Sequence, residues 1–331
     1  MSPGDISPQG EHPPRERHVP VLLEEAMQYL NVRPGGTYVD ATLGLAGHSS
    51  AIAVKLGREG RLIAFDRDPE AMALARATLE ALELEDGMPS MTFHDVEFSQ
   101  AGKLLQPGSV DGLLADFGMS SMQLDEAHRG FSFQADGPLD MRMNPREGPT
   151  AEQVVNEAGE NELADLIYEF GEERRSRRIA RAIVRARPIT TTAQLARIVS
   201  AAAPAMKQGG KSGKRGKSRH FIHPATRTFQ ALRIHVNGEL DQIRALLEGA
   251  PKLLKPGGRL VVISFHSLED RLVKDAFKLA AQQGIYEVLT RKPVTATAEE
   301  ADRNPRARSA KLRAAERTVV AVGNESLKAK F

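Results

Sequence analysis

The segment 253-LLKPGGRLVVISF-265 carries the clearest fold signal in the chain. It joins the end of a helical pattern, predicted over 224–254, to a Pro-Gly-Gly turn and an apolar run over 259–265. A short apolar run rich in β-branched residues and preceded by turn residues predicts a strand buried on both faces. Strands of that kind belong to parallel sheets covered by helices, so the segment predicts an α/β domain.

Further strand patterns lie on both sides of this segment. Predicted helices alternate with the early strands, which indicates a doubly wound, mostly parallel sheet. A final pair of strands is predicted at 285–290 and 318–322. The early strands are predicted at 37–42, 61–65, 91–94 and 110–115, and the helices at 21–30, 48–56 and 69–82.

The alternation stops after residue 122 and resumes at residue 224. The intervening segment is polar and helical in pattern, and it contains a low-complexity basic loop at 207–219. A length of 331 residues agrees with about two domains. The predicted organisation is a disordered, Pro-rich tail at 1–17, a core in two parts at 18–122 and 224–331, and an inserted helical domain at 123–223.

Composition excludes several classes of protein. The chain contains no cysteine, which excludes disulfides, thiolate zinc sites, iron–sulfur clusters and thiol nucleophiles. No apolar run approaches the roughly 18 residues that a membrane-spanning helix needs, so no membrane partner is expected. We expect a cytoplasmic location, because a cysteine-free chain suits a reducing compartment and the polar N-terminus lacks the apolar core of a signal peptide.

The formal charge of +2 conceals a strong segregation of charge along the chain. The 65 residues from Arg174 to Gly238 contain 16 Lys and Arg and no Asp or Glu, whereas 29 basic and 43 acidic residues lie outside this segment. Such asymmetry points to a polyanionic partner, usually nucleic acid. The alternative is a solvated helix face followed by a flexible loop.

Polar residues follow the predicted strands where an open α/β sheet binds its ligands. The turn at 44–47 follows the first strand, and its glycines allow close approach of a ligand. Asp66 ends the second strand about 20 residues later, where a carboxylate accepts the ribose hydroxyls of a nucleoside cofactor. The alternative for Asp66 is a helix cap, but Asp68 before Pro69 fits that role better. Phe98, after the third strand, either flanks an adenine or belongs to the core.

The Pro-Gly-Gly turn and the strand that follows it resemble the fifth strand of class I S-adenosylmethionine methyltransferases. The glycine turn, Asp66 and Asp116 after the fourth strand agree with that resemblance. The three-glycine fingerprint of dinucleotide sites is absent. S-adenosylmethionine has no phosphates, so a methyltransferase does not require the third glycine.

The absence of cysteine also restricts the methyl acceptor. Methylation at cytosine C5 proceeds through a cysteine adduct, which leaves direct transfer to an oxygen or nitrogen nucleophile held in line with the methyl group. An exocyclic amine needs an acceptor for its N–H, and the Asp116 carboxylate or a nearby carbonyl could supply one. Phe117 is a candidate stacking platform. The alternatives for Asp116 are a helix cap and a contact with the methionine amine of the cofactor.

Longer motifs resemble one bacterial family, the RsmH (MraW) methyltransferases, over His18 to about Arg317. They include DATLGLAGHS, AFDRDPEA, ADFGMSSMQLD, RGFSF, HPATRTFQALRI and NPRARSAKLRAAER. The resemblance implies S-adenosyl-L-methionine as cofactor and N4 of a decoding-centre cytidine in small-subunit ribosomal RNA as the methylated atom. It implies cofactor contacts at Ala46, Gly47, His48, Asp66, Phe98, Asp116 and Gln123.

The chain departs from the family pattern at three places. The family commonly has Gly-Gly-His where this chain has Ala46-Gly47-His48, and we expect the added methyl to be tolerated if Gly47 makes the closest approach. Phe117 replaces a leucine and Met122 replaces a proline. The loop at 211–219 is longer and more basic than in the family.

Candidate RNA contacts follow from charge and position. The arginines at 174–181 either bind phosphate or pair with Glu172 and Glu173. His266 ends the fifth strand and either contacts substrate or caps a loop. The candidate RNA residues are Phe117, Lys211, Lys214, Arg215, Lys217, Arg219, His223, Arg227, Arg233, His266, Arg306 and Arg308.

The predicted partner is small-subunit ribosomal RNA, in an assembled or assembling subunit, with a homodimer as a candidate assembly and no metal site. Two other functions fit parts of the same pattern. One is a non-catalytic RNA-binding factor in ribosome assembly, and the other is an amine methyltransferase that acts on DNA or protein.

Overall fold

A computed structural model describes residues 20–85, 87–204 and 223–319. The predicted tail at 1–17 and the basic loop at 207–219 lie outside the described residues. So do the five candidate RNA residues between Lys211 and Arg219.

Seven strands form one sheet in the order β3-β2-β1-β4-β5-β7-β6. β1 to β5 are parallel to one another, and β7 runs antiparallel to both β5 and β6. This architecture confirms the predicted α/β fold with a mostly parallel sheet. The strands are β1 (Thr37–Asp40), β2 (Arg61–Phe65), β3 (Ser90–His94), β4 (Val110–Asp116), β5 (Leu254–Ser264), β6 (Tyr286–Val288) and β7 (Lys311–Arg317).

Successive residues of a strand point to opposite sides of the sheet. Both sides carry apolar residues here, and helices cover both. Val39 and Val262 pack with the helices α11 and α12, whereas Tyr38 and Val261 pack with α1 and α2. The helices that begin before β4 or after residue 238 are α1 (Leu23–Leu30), α2 (Gly47–Leu56), α3 (Pro69–Glu80), α4 (Ala101–Leu104), α11 (Glu239–Leu253), α12 (Ser267–Gln282) and α13 (Ala298–Arg303).

The chain between β4 and β5 builds a second hydrophobic core, whose buried members run from Phe131 to Leu232. We call the helices α6 to α10 around this core the helical lobe. The helices after β4 are α5 (Ser121–Asp125), α6 (Ala151–Glu157), α7 (Glu160–Gly171), α8 (Ser176–Arg185), α9 (Thr192–Ala202) and α10 (Thr226–Asn237). Phe229 and Leu232 of α10 belong to the core of the lobe, whereas Ile234 belongs to the core of the sheet.

Two sequence predictions are wrong in detail. The helix predicted over 224–254 is two helices, because Gly238 adopts a left-handed conformation with φ of 57° between α10 and α11. The last strand lies at Lys311–Arg317 rather than at 318–322, of which only 318 and 319 are described. That prediction followed the β-branched residues at 318–320, whereas the sequence KLRAAER of β7 contains none.

Candidate active site

A cleft lies beyond the carboxyl ends of β1, β2, β4 and β5, which is where open α/β sheets bind ligands. Six of the seven predicted cofactor residues line it: Gly47, His48, Asp66, Phe98, Asp116 and Gln123. The seventh, Ala46, is fully buried behind this wall.

The turn between β1 and α2 has two residues in the left-handed region. Gly44 has a φ of 52° and Ala46 a φ of 63°. A Cβ on Gly47 would lie 2.4 Å from Cγ of Pro20, so this glycine is required by close packing. Ala46 is buried in this turn, and an alanine in this conformation costs about 1–2 kcal/mol.

Asp66 at the end of β2 faces the cleft with its carboxylate held from behind. Its Oδ2 accepts the backbone N–H of Gly44 at 2.8 Å, and its Oδ1 accepts that of Asp68 at 2.9 Å. Burial, aided by the negative charges of Asp68 and Asp40, raises the pKa of Asp66 to about 6, although the two N–H bonds oppose the shift. Each oxygen keeps a further lone pair, so the pair can accept two ribose hydroxyls.

Asp68 has the capping role that its position before Pro69 predicts. Its Oδ1 accepts the backbone N–H of Glu70 at 3.1 Å at the start of α3. Its Oδ2 accepts two side-chain donors, Nη2 of Arg129 at 2.8 Å and Nε2 of Gln123 at 2.7 Å. The carboxylate that caps α3 therefore also joins the cofactor side of the sheet to the chain after β4.

Arg129 holds residues next to the cleft in place, a role that the sequence did not reveal. Its side chain is 5% exposed, and it binds Oε2 of Glu70 at 2.9 Å as well as Asp68. The same guanidinium donates to the carbonyls of Arg142 and Met143 at 3.2 and 3.0 Å. Its acidic partners lie about 60 positions away in the chain, so no local pattern could have indicated the contact.

Gln123 lines the cleft, but both ends of its amide already have protein partners. Nε2 donates to Asp68, and Oε1 accepts the backbone N–H of Ser120 at 3.1 Å within a capping box of α5. Gln123 therefore fixes the start of α5 against the loop after β2. Its cofactor role stays a prediction.

Asp116 presents an unpaired acceptor at the end of β4. Its backbone N–H donates to Oγ1 of Thr42 at 2.6 Å, and its Oδ2 lies 3.7 Å from Nδ1 of His48. Its Oδ1 is buried and has no hydrogen-bond partner among the described residues. Burial, with the nearby charges of Asp40 and Glu269, raises the pKa of Asp116 well above its usual value. A buried acceptor without a donor costs about 1–3 kcal/mol, so this oxygen favours a ligand that brings one.

Two aromatic rings form one wall of the cleft. Phe98 and Phe117 stack with their centroids 5.8 Å apart. Phe117 is 3% exposed, because Phe98 and the core of the sheet cover its ring. This burial corrects the expectation that Phe117 offers an open stacking platform, and Phe98 is the more exposed ring of the pair.

Arg233 is not the free RNA-binding residue that its sequence position suggested. It is 8% exposed and forms a bidentate ion pair with Glu239, at 2.8 Å for both bonds. His266 caps α12, and its Nε2 lies 3.0 Å from Oε1 of Glu269, which agrees with the alternative of a capped loop. Although burial opposes ionisation of Glu269, His266 and Arg233 lower its pKa overall. Arg233, Glu239 and Glu269 therefore place one cationic and two acidic side chains in the wall of the cleft.

The other described RNA candidates lie in different places. Arg306 lines the cleft, with Nη2 3.6 Å from Asp125. Arg227 is exposed and lies 3.6 Å from Glu173. The ring of His223 packs 4.6 Å from that of Phe133, and Arg308 donates to the carbonyl of Ala301 at 3.1 Å. His223, Arg227, His266 and Arg308 are not among the residues that line the cleft.

Comparison with known proteins identifies the family of this chain. The model of the MraW methylase family matches residues 15–318. The chain belongs to the MraW methylase family. Family membership confirms the predicted methyl donor, S-adenosyl-L-methionine, and the class I methyltransferase fold.

Relatives match along nearly the whole chain. A protein from Acidobacterium capsulatum is 74% identical over 92% of this chain and 99% of its own length, and one from Koribacter versatilis is 58% identical over 96% and 99%. Both are named ribosomal RNA small subunit methyltransferase H. A crystal structure from Clostridium thermocellum, provisionally named an rRNA methylase, superposes with a TM-score of 0.45 at 15% identity over 91% of this chain and 99% of that one.

The helices of this chain do not meet the requirements of a membrane span in the part that the structure describes. Within 20–85, 87–204 and 223–319, none is both long enough and apolar enough to cross a bilayer.

Proposed function

We propose that this chain methylates the exocyclic N4 amine of a decoding-centre cytidine in small-subunit ribosomal RNA. The names of its relatives support ribosomal RNA as the substrate. The observation that carries the amine assignment is the buried, unpaired Oδ1 of Asp116 in the cleft wall.

The residues present fit S-adenosylmethionine, which supplies a methyl group on a positively charged sulfur. Asp66 would accept the ribose hydroxyls, and Phe98 would flank the adenine. The turn from Gly44 to His48 would pass the methionine end, next to Asp116. The raised pKa values of Asp66 and Asp116 agree with this assignment, because a cationic ligand would favour the ionised form of both carboxyls.

Asp116 suits an amine acceptor for a chemical reason. The lone pair of an amine on an aromatic base is conjugated with the ring, so the nitrogen is a poor nucleophile. An N–H that donates to the carboxylate of Asp116 returns electron density to the nitrogen as it attacks. The new N–C bond would replace the methyl–sulfur bond of the donor, which would leave as a neutral thioether. The nitrogen must then lose one proton, and a carboxylate with a raised pKa is a stronger base for that proton than an ordinary one.

The proposal extends to the setting of the reaction. The substrate is ribosomal RNA in an assembled or assembling small subunit, and the enzyme acts in the cytoplasm, with a homodimer as its candidate assembly. The segment from Arg174 to Gly238, which contains no Asp or Glu, supplies the positive charge that holds the RNA.

Purified small subunits and naked ribosomal RNA, each treated with the enzyme and digested to nucleosides, test the proposal. We expect N4-methylcytidine by mass spectrometry, with faster formation on the subunit. Asp116→Asn should lower single-turnover methylation by about 100-fold or more while RNA affinity stays unchanged. Asp241→Asn is a matched control, because Asp241 is an exposed acid on α11.

Two outcomes would reject the proposal. Titration calorimetry that detects no binding of S-adenosylmethionine or S-adenosylhomocysteine would favour a non-catalytic assembly factor. Unchanged N4-methylcytidine in the ribosomal RNA of a deletion strain would favour methylation of DNA or protein amines.

A further inference from the structure

The exposed face of α8 carries only positive charge. Arg177, Arg178, Arg181 and Arg185 are all exposed, and the sequence of this helix contains no Asp or Glu. Their spacing of one, three and four residues places the four side chains within about 100° around the helix axis. We call these four residues the arginine stripe.

The structure shows what these arginines do not bind. Glu172 is occupied by Arg271 at 2.9 Å and by the hydroxyl of Ser267, and Glu173 lies 3.6 Å from Arg227. Both acids that could have neutralised the start of α8 are therefore bound to other residues. Pairing with Glu172 and Glu173 is therefore not the role of the arginines in the stripe.

The neighbouring helix also leaves the stripe largely unpaired. α7 carries the half-buried acid Glu160 and the exposed acids Glu162, Asp165 and Glu169. Among the described residues, its one ion pair with the stripe joins Oε1 of Glu160 to Nε of Arg181 at 3.3 Å. The other three guanidinium groups have no carboxylate within 4.0 Å in the described ranges.

This arrangement does not help the helix to fold. Like charges three and four residues apart repel one another. Arg177 and Arg178 lie in the first turn, where the helix dipole disfavours positive charge. Because the stripe weakens the isolated helix, its charge pattern favours a role in binding an external anion.

The turn that leads into the stripe is tied to a helix at the wall of the cleft. The turn between α7 and α8 is held to α12, because Glu172 binds Ser267 and Arg271 of that helix. Ser267 directly follows His266, and Glu269 in the same first turn of α12 lines the cleft. An RNA strand that leaves the cleft past the first turn of α12 therefore runs towards the amino end of α8.

We infer that the arginine stripe binds the phosphate backbone of the RNA outside the cleft. The inference rests on the proposed function, because it takes RNA as the substrate. Guanidinium groups bind phosphate oxygens through two parallel hydrogen bonds. A phosphate backbone therefore suits four adjacent arginines, three of which have no carboxylate partner in the described ranges, better than a neutral ligand does. Phosphate contacts position an RNA without reading its sequence, so the stripe sets affinity and orientation.

The test measures binding of a small-subunit ribosomal RNA fragment by fluorescence anisotropy across a range of salt concentrations. The variant is Arg177→Gln with Arg178→Gln and Arg185→Gln, which leaves the Arg181–Glu160 pair intact. We expect affinity at 0.1 M salt to fall about tenfold or more, and the slope of log affinity against log salt to become shallower by about 2 to 3.

Two further variants separate charge from folding. Lys55→Gln with Arg58→Gln and Arg61→Gln removes three exposed charges near the amino end of β2, away from the cleft, and should leave the slope unchanged. Lysine at all three stripe positions should keep most of the slope, because it keeps the charge. Calorimetric affinity for S-adenosylmethionine should match the wild type in each variant.

The outcomes distinguish this inference from the proposed function. If the glutamine variant keeps the wild-type salt slope while the wild type methylates small subunits, the inference is wrong and the proposed function stands. If affinity falls for assembled subunits but not for naked RNA, the stripe binds a protein surface, which also overturns the inference. If the wild type forms no N4-methylcytidine but the slope changes as expected, the proposed function fails and RNA binding by the stripe stands.

Discussion

The arginines of this molecule fall into two kinds of environment, which the network around Asp68 and the arginine stripe of α8 represent. Arg129 is almost fully buried and donates to two carboxylates and two carbonyls. The stripe is exposed, and the described residues give its four arginines one carboxylate between them. A count of charges along the sequence treats the two groups alike, although one stabilises the fold and the other is available to a partner.

The physical cause of this difference is desolvation. A buried guanidinium is tolerated when each donor finds an acceptor, so Arg129 fixes the positions of everything it touches. An exposed guanidinium remains hydrated, and an ion pair at such a site contributes little to stability. The first group should therefore be sensitive to substitution in folding, and the second in binding.

The largest expected effect on stability is at Arg129. Arg129→Ala leaves Asp68 buried without its cationic partner, so we expect the free energy of unfolding in urea to fall by about 3–5 kcal/mol. Arg142→Ala is the matched control, because Arg142 pairs with Asp140 at a more exposed site, and it should cost about 1 kcal/mol or less. Equal losses in the two variants would contradict the distinction between the two environments.

The second expected effect is a dependence of cofactor affinity on pH, caused by Asp66 next to the network around Asp68. Asp66 has a pKa of about 6, so its carboxylate is mostly ionised at pH 7 and mostly protonated at pH 5. We expect calorimetric affinity for S-adenosylmethionine to fall about tenfold between these pH values, because the protonated carboxyl is a poorer acceptor of ribose hydroxyls. Asp66→Asn should bind S-adenosylmethionine weakly at both pH values, and its affinity should not show this dependence on pH.

The same shift has the opposite sign for folding. The pKa of Asp66 is raised above its ordinary value of 3.8, so the folded state holds this proton more tightly than the unfolded state. Its contribution to stability therefore increases as the pH falls from above 6 towards 4.

A wild-type affinity for S-adenosylmethionine that stays the same between pH 7 and pH 5 would show that Asp66 does not hold the cofactor.

A smaller effect is expected at Ala46, which lies in the loop that Asp66 holds through Gly44. Ala46→Gly should relieve left-handed strain of about 1–2 kcal/mol and lose about 0.5–1 kcal/mol of that gain to the flexibility of the unfolded chain. A net rise in thermal stability is the expected result. Ala53→Gly, at a buried helical position of α2, should instead lower it, and a loss at both positions would contradict strain at Ala46.

The smallest effect on stability is expected at the stripe. Arg178→Gln should change the free energy of unfolding by less than about 0.5 kcal/mol, with any gain confined to low salt, where repulsion between the arginines is strongest. Thermal melting in 20 mM and 500 mM salt would measure this. A loss above about 1 kcal/mol would mean that the stripe supports the fold and would remove the contrast with Arg129.

The sequence predicted the parts of the site that depend on local patterns. Asp66 and Asp116 were found because each ends a strand with a strong apolar signal, and Asp68 because a cap directly precedes Pro69. Phe98 was a candidate because it follows the third strand, whereas Gln123 entered as a cofactor residue only through the family resemblance. Arg129 was missed because its partners come from another part of the chain, and burial alone distinguishes Arg233 from the exposed arginines.

The same limit applies to the elements of the fold. β2 was predicted at its observed bounds because a short apolar run, Leu62 to Phe65, follows the turn residue Gly60 and ends at Asp66. β7 was misplaced because the charged sequence KLRAAER is a strand only by virtue of its neighbours β5 and β6. The break at Gly238 was missed because both flanking segments are amphipathic and read as one helix.

The position of the helical lobe between β4 and β5 has a consequence for synthesis on the ribosome. These two strands are neighbours, with Asp116 beside Ile263, yet the whole lobe is made between them. β4 therefore emerges with one unpaired edge, and that edge stays open until the lobe has been translated. The lobe has its own core within 131–232, so we expect it to fold first and to bring β5 to the waiting edge. Early folding of the lobe would thus protect the nascent chain from aggregation through β4.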